Sequence, residues 1–385
     1  MNKKESCCSG NQVTLALFQE KTDCCSTAED SRYPVPRIDQ LFVIDSLSTT
    51  IGRIPQVSAQ LNIRDHWGTI KARCGVNRMN YAVDPGLYAL GFPDKNSPVL
   101  VTANYKMSFD YLRRELSGRN VWILVMDTKG INVWCAAGHG SFGTEELIKR
   151  IELSGLKKII NHRKLILPQL GASGVAAYKV KQVSGFKVYY GPIRAKDLPN
   201  YLDSGWIPTP EMRTMNFPLK ERAVLIPMEI VNAAKPFLII AFILFALSGI
   251  GGPEGFWSNA VNYGSFAVLA VLSALISGAV LNTLLLPYLP GRAFSTKGLL
   301  IGFVVAFILL YLRDVNLQTW AGRSEALAWL LIIPAISAYL AMNFTGCSAY
   351  TSLSGVKKEM RWALPAEIAL GSGGFLAWIA SRLIA

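Results

Sequence analysis

The spacing of apolar positions divides this chain of 385 residues into two unlike parts. From about residue 50 to residue 210, short apolar runs alternate with amphipathic stretches. Val121-Trp-Ile-Leu-Val-Met126 is an unbroken apolar run of strand length and predicts a strand covered on both faces. Lys164–Leu167 and Phe186–Tyr190 predict two more strands. Thr144–Leu153 predicts a helix. Its Leu147, Ile148 and Ile151 share one face, and Glu145 and Glu146 occupy the first turn, where the dipole favours acids. Gly174–Val183 and Ala195–Leu202 predict further helices. Such alternation implies a Rossmann-like α/β domain around a largely parallel sheet. Ligands of these sheets bind at the carboxyl ends of the strands.

Beyond residue 225 the pattern changes. Phe237–Gly252, Val261–Leu286, Gly298–Leu312, Ala326–Phe344 and Ile368–Ile384 predict an all-α bundle of about five transmembrane helices, since a span needs roughly 20 apolar residues. The first is expected to begin after Lys235-Pro236 and to end at Gly251-Gly252-Pro253. The third is short, so its flanking Lys297 and Arg313 would snorkel. Glu367 and Arg382 weaken the fifth, and without it the bundle has four spans and an amphipathic tail. The expected organisation is a flexible cysteine-containing tail over 1–40, an α/β domain over 41–225 and a transmembrane domain over 226–385.

Charge follows the same division. Residues 236–385 hold 8 Lys/Arg and 5 Asp/Glu, which leaves 31 and 21 in the front part and about +10 of the net +13 there. A basic domain suits an anionic leaflet. No zinc finger, helix-turn-helix or aromatic-basic RNA signature is present, so no nucleic-acid partner is expected. Met1–Asp30 lacks the apolar core of a signal peptide. With the soluble part inside, the inner loops carry Arg292, Lys297, Lys357, Lys358 and Arg361, and the outer ones only Arg313, Arg323 and Arg382. That positive-inside pattern predicts a multi-pass protein of the cytoplasmic (inner) membrane, its N-terminus and soluble domain in the cytoplasm.

The seven cysteines are odd in number and include two vicinal pairs, which argues for reduced thiols. Cys7, Cys8, Cys24 and Cys25 suit the relay of a soft cation such as Hg(II), although spare thiols in a tail are the simpler reading. The chemistry concentrates in Asn132-Val-Trp-Cys-Ala-Ala-Gly-His-Gly-Ser-Phe-Gly-Thr144. Here Cys135 is expected just after a strand, in a run of small residues ahead of a helix. Small residues let a bulky group approach the backbone, and a helix N-terminus favours the thiolate, the metal-binding form of a thiol. Taken alone, Cys135 reads more readily as a small buried apolar side chain than as a functional thiol. With His139 and either His162 or Cys74 it is also a candidate zinc site.

Asn132-Val-Trp-Cys-Ala-Ala-Gly138 resembles the cap-helix signature of the HgcA family, the membrane-anchored corrinoid proteins of mercury methylation. Val83–Pro93, Ser97–Lys106, Leu165–Ala172, Leu289–Phe294 and Phe344–Cys347 resemble the same family, so the likeness extends over about residues 40–385. The soluble part is also similar to the corrinoid domain of the large subunit of the acetyl-CoA-pathway corrinoid iron–sulfur protein. The resemblance implies base-off/Cys-on cobalamin, with Cys135 as the catalytic residue and lower axial cobalt ligand. Asn132, Val133, Trp134, Ala136, Ala137, Gly138, His139 and Gly140 would lie along the corrinoid, and Thr102 and Asn104 on the opposite wall. The implied activity is that of a corrinoid-dependent methyltransferase. Cobalt, reduced to Co(I), would take a methyl group from a one-carbon donor and pass it to thiol-bound Hg(II), giving methylmercury.

The chain has no four-cysteine run of the ferredoxin kind. Iron–sulfur clusters are therefore expected only on a partner, an HgcB-like ferredoxin with two [4Fe–4S] clusters that supplies electrons. One departure is His139, where the family has Lys; an imidazole does not provide a fixed charge near neutrality and is itself a possible metal ligand. The Asp-x-His-x-x-Gly signature of His-ligating cobalamin proteins is missing, since Asp65-His66-Trp67-Gly68 has another spacing. Two alternatives stand beside this reading. One is a corrinoid methyl carrier of acetyl-CoA-pathway type; the other is a metal transporter with a cytoplasmic metal-binding domain. For a transporter the polar candidates within the spans, Asn282, Thr283, Asn343 and Cys347, are few.

Overall fold

The computed structural model describes residues 33–252, 254–344 and 353–384. Cys7, Cys8, Cys24, Cys25 and Cys347 lie outside the described residues.

The front part is built on a seven-stranded sheet in the order β1-β2-β3-β5-β4-β6-β7. The strands are β1 (Val43–Thr49), β2 (Gly52–Val57), β3 (Gly86–Leu90), β4 (Val99–Ala103), β5 (Val121–Met126), β6 (Lys164–Leu167) and β7 (Lys187–Tyr190). The helices are α1 (Ile63–Arg73), α2 (Lys106–Glu115), α3 (Val133–His139), α4 (Thr144–Leu153), α5 (Leu156–Ile159), α6 (Ala177–Ser184) and α7 (Leu198–Asp203). Every residue of β3, β4 and β5 is buried. Alternate side chains enter two cores. Trp122, Leu124 and Met126 pack on one face with Ala136 of α3, Leu147 of α4 and Val180 of α6. Val121, Ile123 and Val125 pack on the other with Phe109 of α2 and Leu198 of α7. This double cover is why β5 reads as an unbroken apolar run rather than an alternating one.

The sheet is mixed. β4 runs parallel to β5 and β6, β6 to β7, and β2 to β3, whereas β1/β2 and β3/β5 are antiparallel. The departure from a wholly parallel sheet has a simple cause. A parallel crossover needs a dozen or more residues, usually with a helix. The link Gly91–Pro98 between β3 and β4 has neither the length nor a helix, so β3 must run opposite to its successors.

Five helices among the described residues are long and apolar enough to cross a membrane: Leu219–Ser248, Phe256–Leu285, Phe294–Arg313, Trp320–Asn343 and Gly355–Ile384. All five begin earlier than the sequence expectation, and the first, third and fifth show why. The first runs straight through Pro236 rather than starting after it. A proline removes one backbone donor without ending a helix whose neighbours support it. The third contains Lys297 and Arg313 instead of stopping short of them. Lys297 Nζ donates to the Leu286 carbonyl at 2.9 Å, and the Arg313 guanidinium lies 4.9 Å from the centre of the Phe266 ring, so both cations have partners in the bundle. The fifth begins about a turn beyond residue 350 and takes in Glu359 and Glu367.

Candidate functional site

The chain order of the parallel strands creates a crevice. β4 leads through α2 to β5 on one side, and β6 leads through α6 to β7 on the other. α2 covers one face of the sheet and α6 the opposite face. Adjacent strands whose outgoing connections diverge define a topological switch point, where open α/β sheets bind ligands. The β4–β6 ladder registers only the pair Leu100–Ile166, so the two strands are free to part toward their carboxyl ends. A cavity of about 480 Å³ lies there. Thr102 of β4, Tyr111 of α2, Asn132 and Trp134 at the start of α3, and Pro168 and Leu170 after β6 line it. Arg114, Arg194 and Lys196 also contribute, as do Glu115 and Glu221, which pair with Arg114 and Arg194.

Cys135 does not sit in a loop, as the residue pattern suggested. It lies in α3, a helix of seven residues. Asn132 is the N-cap: its side-chain oxygen accepts the Cys135 N–H at 2.9 Å. That bond satisfies one of the unpaired amides of the first turn and fixes the turn that carries the thiol. Gly140 ends the helix with φ +87°, a conformation that favours glycine. A seven-residue helix containing Gly138 and opened by Val-Trp has little propensity of its own, and tertiary packing makes it form.

That packing uses the small residues. Val133, Ala136 and Ala137 are buried toward the sheet. A Cβ on Gly174 would lie 2.2 Å from the Phe142 carbonyl oxygen and 3.0 Å from Ala137 Cα, so the chain after β6 comes as close to α3 as glycine allows. The outward face carries the exposed Trp134, the half-buried Cys135, and the exposed Gly138 and His139. A Cβ on Gly138 would find nothing within 4 Å. The alanines thus serve packing, and only the outward stripe has open space before it.

The other sequence candidates divide. Thr102 is buried at 4 % exposure and lines the cavity. The Asn104 side-chain oxygen is instead occupied by Thr128 N at 3.1 Å, Thr128 Oγ1 at 2.8 Å and Gly130 N at 3.0 Å. Asn104 therefore anchors the loop from β5 into α3. His162 lies by the start of β6, its Nε2 2.9 Å from the Ser97 carbonyl oxygen. Among the described residues no three His, Cys, Asp or Glu side chains gather as metal ligands, so the zinc combination with Cys135 and His139 does not assemble.

Two groups beside α3 have no partner: Gln169 Oε1 and Ser141 Oγ are buried without a hydrogen bond. Buried polar atoms are rarely left so in a complete structure. Neither residue lines the cavity, nor does Cys135; from the start of α3 the lining takes Asn132, Val133 and Trp134. Sequence reasoning missed Gln169, Arg194 and Lys196. The signal that finds Gln169 is its place directly after β6, at the carboxyl edge.

A second feature braces the site. Arg113 is fully buried and donates to Asp65 at 2.7 Å and Asp110 at 2.8 Å, while Lys106 Nζ reaches the same two carboxylates at 2.6 and 2.7 Å. Arg113 also donates to the Gln60 carbonyl at 2.9 Å. Burial alone would raise Asp65, but the Lys106 hydrogen bond, the Asn62 N–H and the charges of Lys106 and Arg113 together hold it below the usual carboxylate range. This quartet ties α1 to α2, one wall of the cavity.

Comparison with known proteins places these elements. Residues 76–202 match the family described as CO dehydrogenase/acetyl-CoA synthase delta subunit, CdhD. The acetyl-CoA decarbonylase/synthase complex subunit gamma of Methanocaldococcus jannaschii is 34% identical over 131 residues, 34% of this chain and 26% of that one. Subunit gamma 2 of Methanosarcina thermophila is 35% identical over 135 residues, 34% of this chain and 28% of its own length. The chain thus spans about a quarter of the length of the curated relatives it matches. The third of the chain that holds β3 to β7, the switch-point cavity and Cys135 is therefore similar to the CO dehydrogenase/acetyl-CoA synthase delta family and to gamma subunits of the acetyl-CoA decarbonylase/synthase complex.

Proposed function

We propose that the chain is a membrane-held corrinoid methyl carrier of the kind used in acetyl-CoA-type one-carbon chemistry, with Cys135 as the protein ligand to cobalt. The observation that carries this is the Asn132-capped helix, which presents a thiol on an open face beside a switch-point cavity. The likeness of residues 76–202 to acetyl-CoA synthase subunits supports the same class. When bound, a corrinoid supplies a cobalt centre that accepts and releases a methyl group.

The residues of the chain do the rest. Cys135 offers a soft, electron-rich sulfur, which suits a metal that must give up a methyl group. Asn132 and Asn104 hold that sulfur in place through the cap and the preceding loop. Trp134 and Gly138 provide a flat, uncrowded face, and the cavity at Thr102 and Tyr111 would receive the lower base that the thiol displaces. Lys196 suits a phosphate on that base, since Arg114 and Arg194 are paired with Glu115 and Glu221. Electrons would come from an iron–sulfur partner docked on the cytoplasmic domain, with the spans fixing the protein in the inner membrane.

A finer reading sends the methyl group to thiol-bound Hg(II). The Asn132–Gly138 signature favours it, because Cys135 would supply a soft, electron-rich donor, which suits methyl release to a soft electrophile. Single-turnover transfer tests it. The anaerobic, methylated full-length chain is mixed with Hg(II)–glutathione, and methylmercury is quantified beside Cys135→Ala. Transfer by the wild type, lost in the variant, supports mercury as acceptor. A chain that holds the corrinoid but leaves Hg(II) unmethylated keeps the carrier reading and removes mercury.

A further inference from the structure

The membrane half contains a second cavity, of about 390 Å³, between the first, second, fourth and fifth spans. Its polar lining comes from Glu229 and Asn232 of the first span, Tyr339 and Asn343 of the fourth and Glu367 of the fifth. Phe237, Leu275 and Ile336 represent its apolar remainder. The polar groups belong to one end. Glu229 and Asn232 precede Pro236 in the first half of their span, Asn343 closes the fourth, and Glu367 lies in the first half of the fifth.

Glu367 is the telling residue. It is 7 % exposed, and neither carboxyl oxygen has a hydrogen-bond partner. Other buried acids of the bundle are satisfied: Glu359 accepts the Ser295 N–H at 2.7 Å, and Glu325 pairs with Arg382 at 3.2 Å. An isolated carboxylate in an apolar surround is costly unless something pairs with it. Pro236 adds to the acceptor excess, since it lacks the N–H that would bond to the Asn232 carbonyl. The described lining holds no Lys, Arg or His to pair with Glu367. The volume is in the range of small-molecule sites and far exceeds a bare ion.

From this we infer that the cavity binds an amphiphile with a primary ammonium head, Glu367 acting as the counter-ion and the Phe237–Leu275–Ile336 end holding the apolar body. Ile240 of the first span and Ile368 of the fifth line the cavity and are exposed, so it opens toward the bilayer. The site is separate from the corrinoid site and stands or falls independently of it. Two sources present this chemistry: an ethanolamine phospholipid and a free lipophilic amine.

The test uses the full chain in a non-ionic detergent, with dodecylammonium, 1-dodecanol and ammonium chloride as probes and microscale thermophoresis as the readout. Dodecylammonium is expected to bind about tenfold or more tighter than dodecanol, the scale of one charge-assisted hydrogen bond. Glu367→Gln should abolish that preference. Leu275→Trp, which fills the apolar end and keeps the acid, should weaken dodecylammonium by a similar factor, so the inference does not depend on one variant folding. Equal binding of dodecanol, a preference that survives Glu367→Gln, or ammonium chloride reproducing the effect by itself would each overturn it. Native mass spectrometry of the purified chain then separates the sources. A bound ethanolamine phospholipid identifies the lipid, and its absence with dodecylammonium binding retained identifies a free amine.

Discussion

Asn132 and Asp65 show how single polar side chains position the site. Asn132 is the only side-chain cap on α3, and its oxygen meets the amide of the residue whose sulfur is at issue. Asn132→Ala is expected to cost about 1 kcal/mol of stability, the usual worth of an N-cap. Thermal unfolding of the full chain reads this, and the altered first turn should also weaken corrinoid retention. Asp65 works at a distance, through the buried ion quartet. Removing its charge leaves Arg113 buried and underpaired, so Asp65→Asn should cost about 3 kcal/mol or more. The pH dependence has a definite sign. The folded-state pKa of Asp65 is depressed, so its contribution is present above the unfolded value, near 3.8, and is lost as pH falls through the folded value. Acid unfolding of the wild type should therefore steepen below about pH 4, and Asp65→Asn should flatten that limb. The sequence announces none of this quartet. Asp65, Lys106, Asp110 and Arg113 are charged residues of ordinary spacing, and only the packing of α1 on α2 buries them together.

At the scale of elements, legibility follows the strength of the local signal. β5 and α4 are plain in the sequence, because a two-sided strand is wholly apolar and α4 has both an apolar face and acids in its first turn. α3 is not. Seven residues with an internal glycine give no periodicity, and only the resemblance of its motif marked it as a helix. The membrane helices were legible in number but not in extent, since hydropathy stops at a charge and a helix does not: Lys297, Glu367 and Pro236 all lie inside helices. Two glycines separate packing from binding. Gly174→Ala forces a Cβ against the Phe142 carbonyl and Ala137, and should displace α3 at a cost of about 1–3 kcal/mol. Gly138→Ala meets open space, and should leave the corrinoid-free chain as stable or up to about 0.5 kcal/mol more so, by helix propensity. If the outward face of α3 is the ligand face, the same methyl group should weaken corrinoid binding. A titration of both variants with cobalamin, beside their melting temperatures, distinguishes the two effects.

For the molecule as a whole, the account joins a switch-point α/β domain to a five-helix bundle of unequal polarity. The α/β class and the spans were readable from apolar spacing. The mixed sheet was not, because strand direction depends on link length and on which neighbour a strand finds. The membrane cavity was missed for a different reason: Glu229 lay outside the expected first span, and Glu367 was taken as a flaw in the fifth. The proposed orientation rests on the loop cations. Protease added to intact spheroplasts should spare the α/β domain and should digest it in inverted vesicles; cleavage in spheroplasts would reverse the topology. The central claim, that Cys135 ligates cobalt, is tested most directly by the ultraviolet–visible spectrum of the full chain loaded anaerobically with cobalamin, beside Cys135→Ala. A base-off spectrum with a sulfur-to-cobalt feature that disappears in the variant is expected. Identical spectra from the two proteins, or no retained corrin in either, would contradict it.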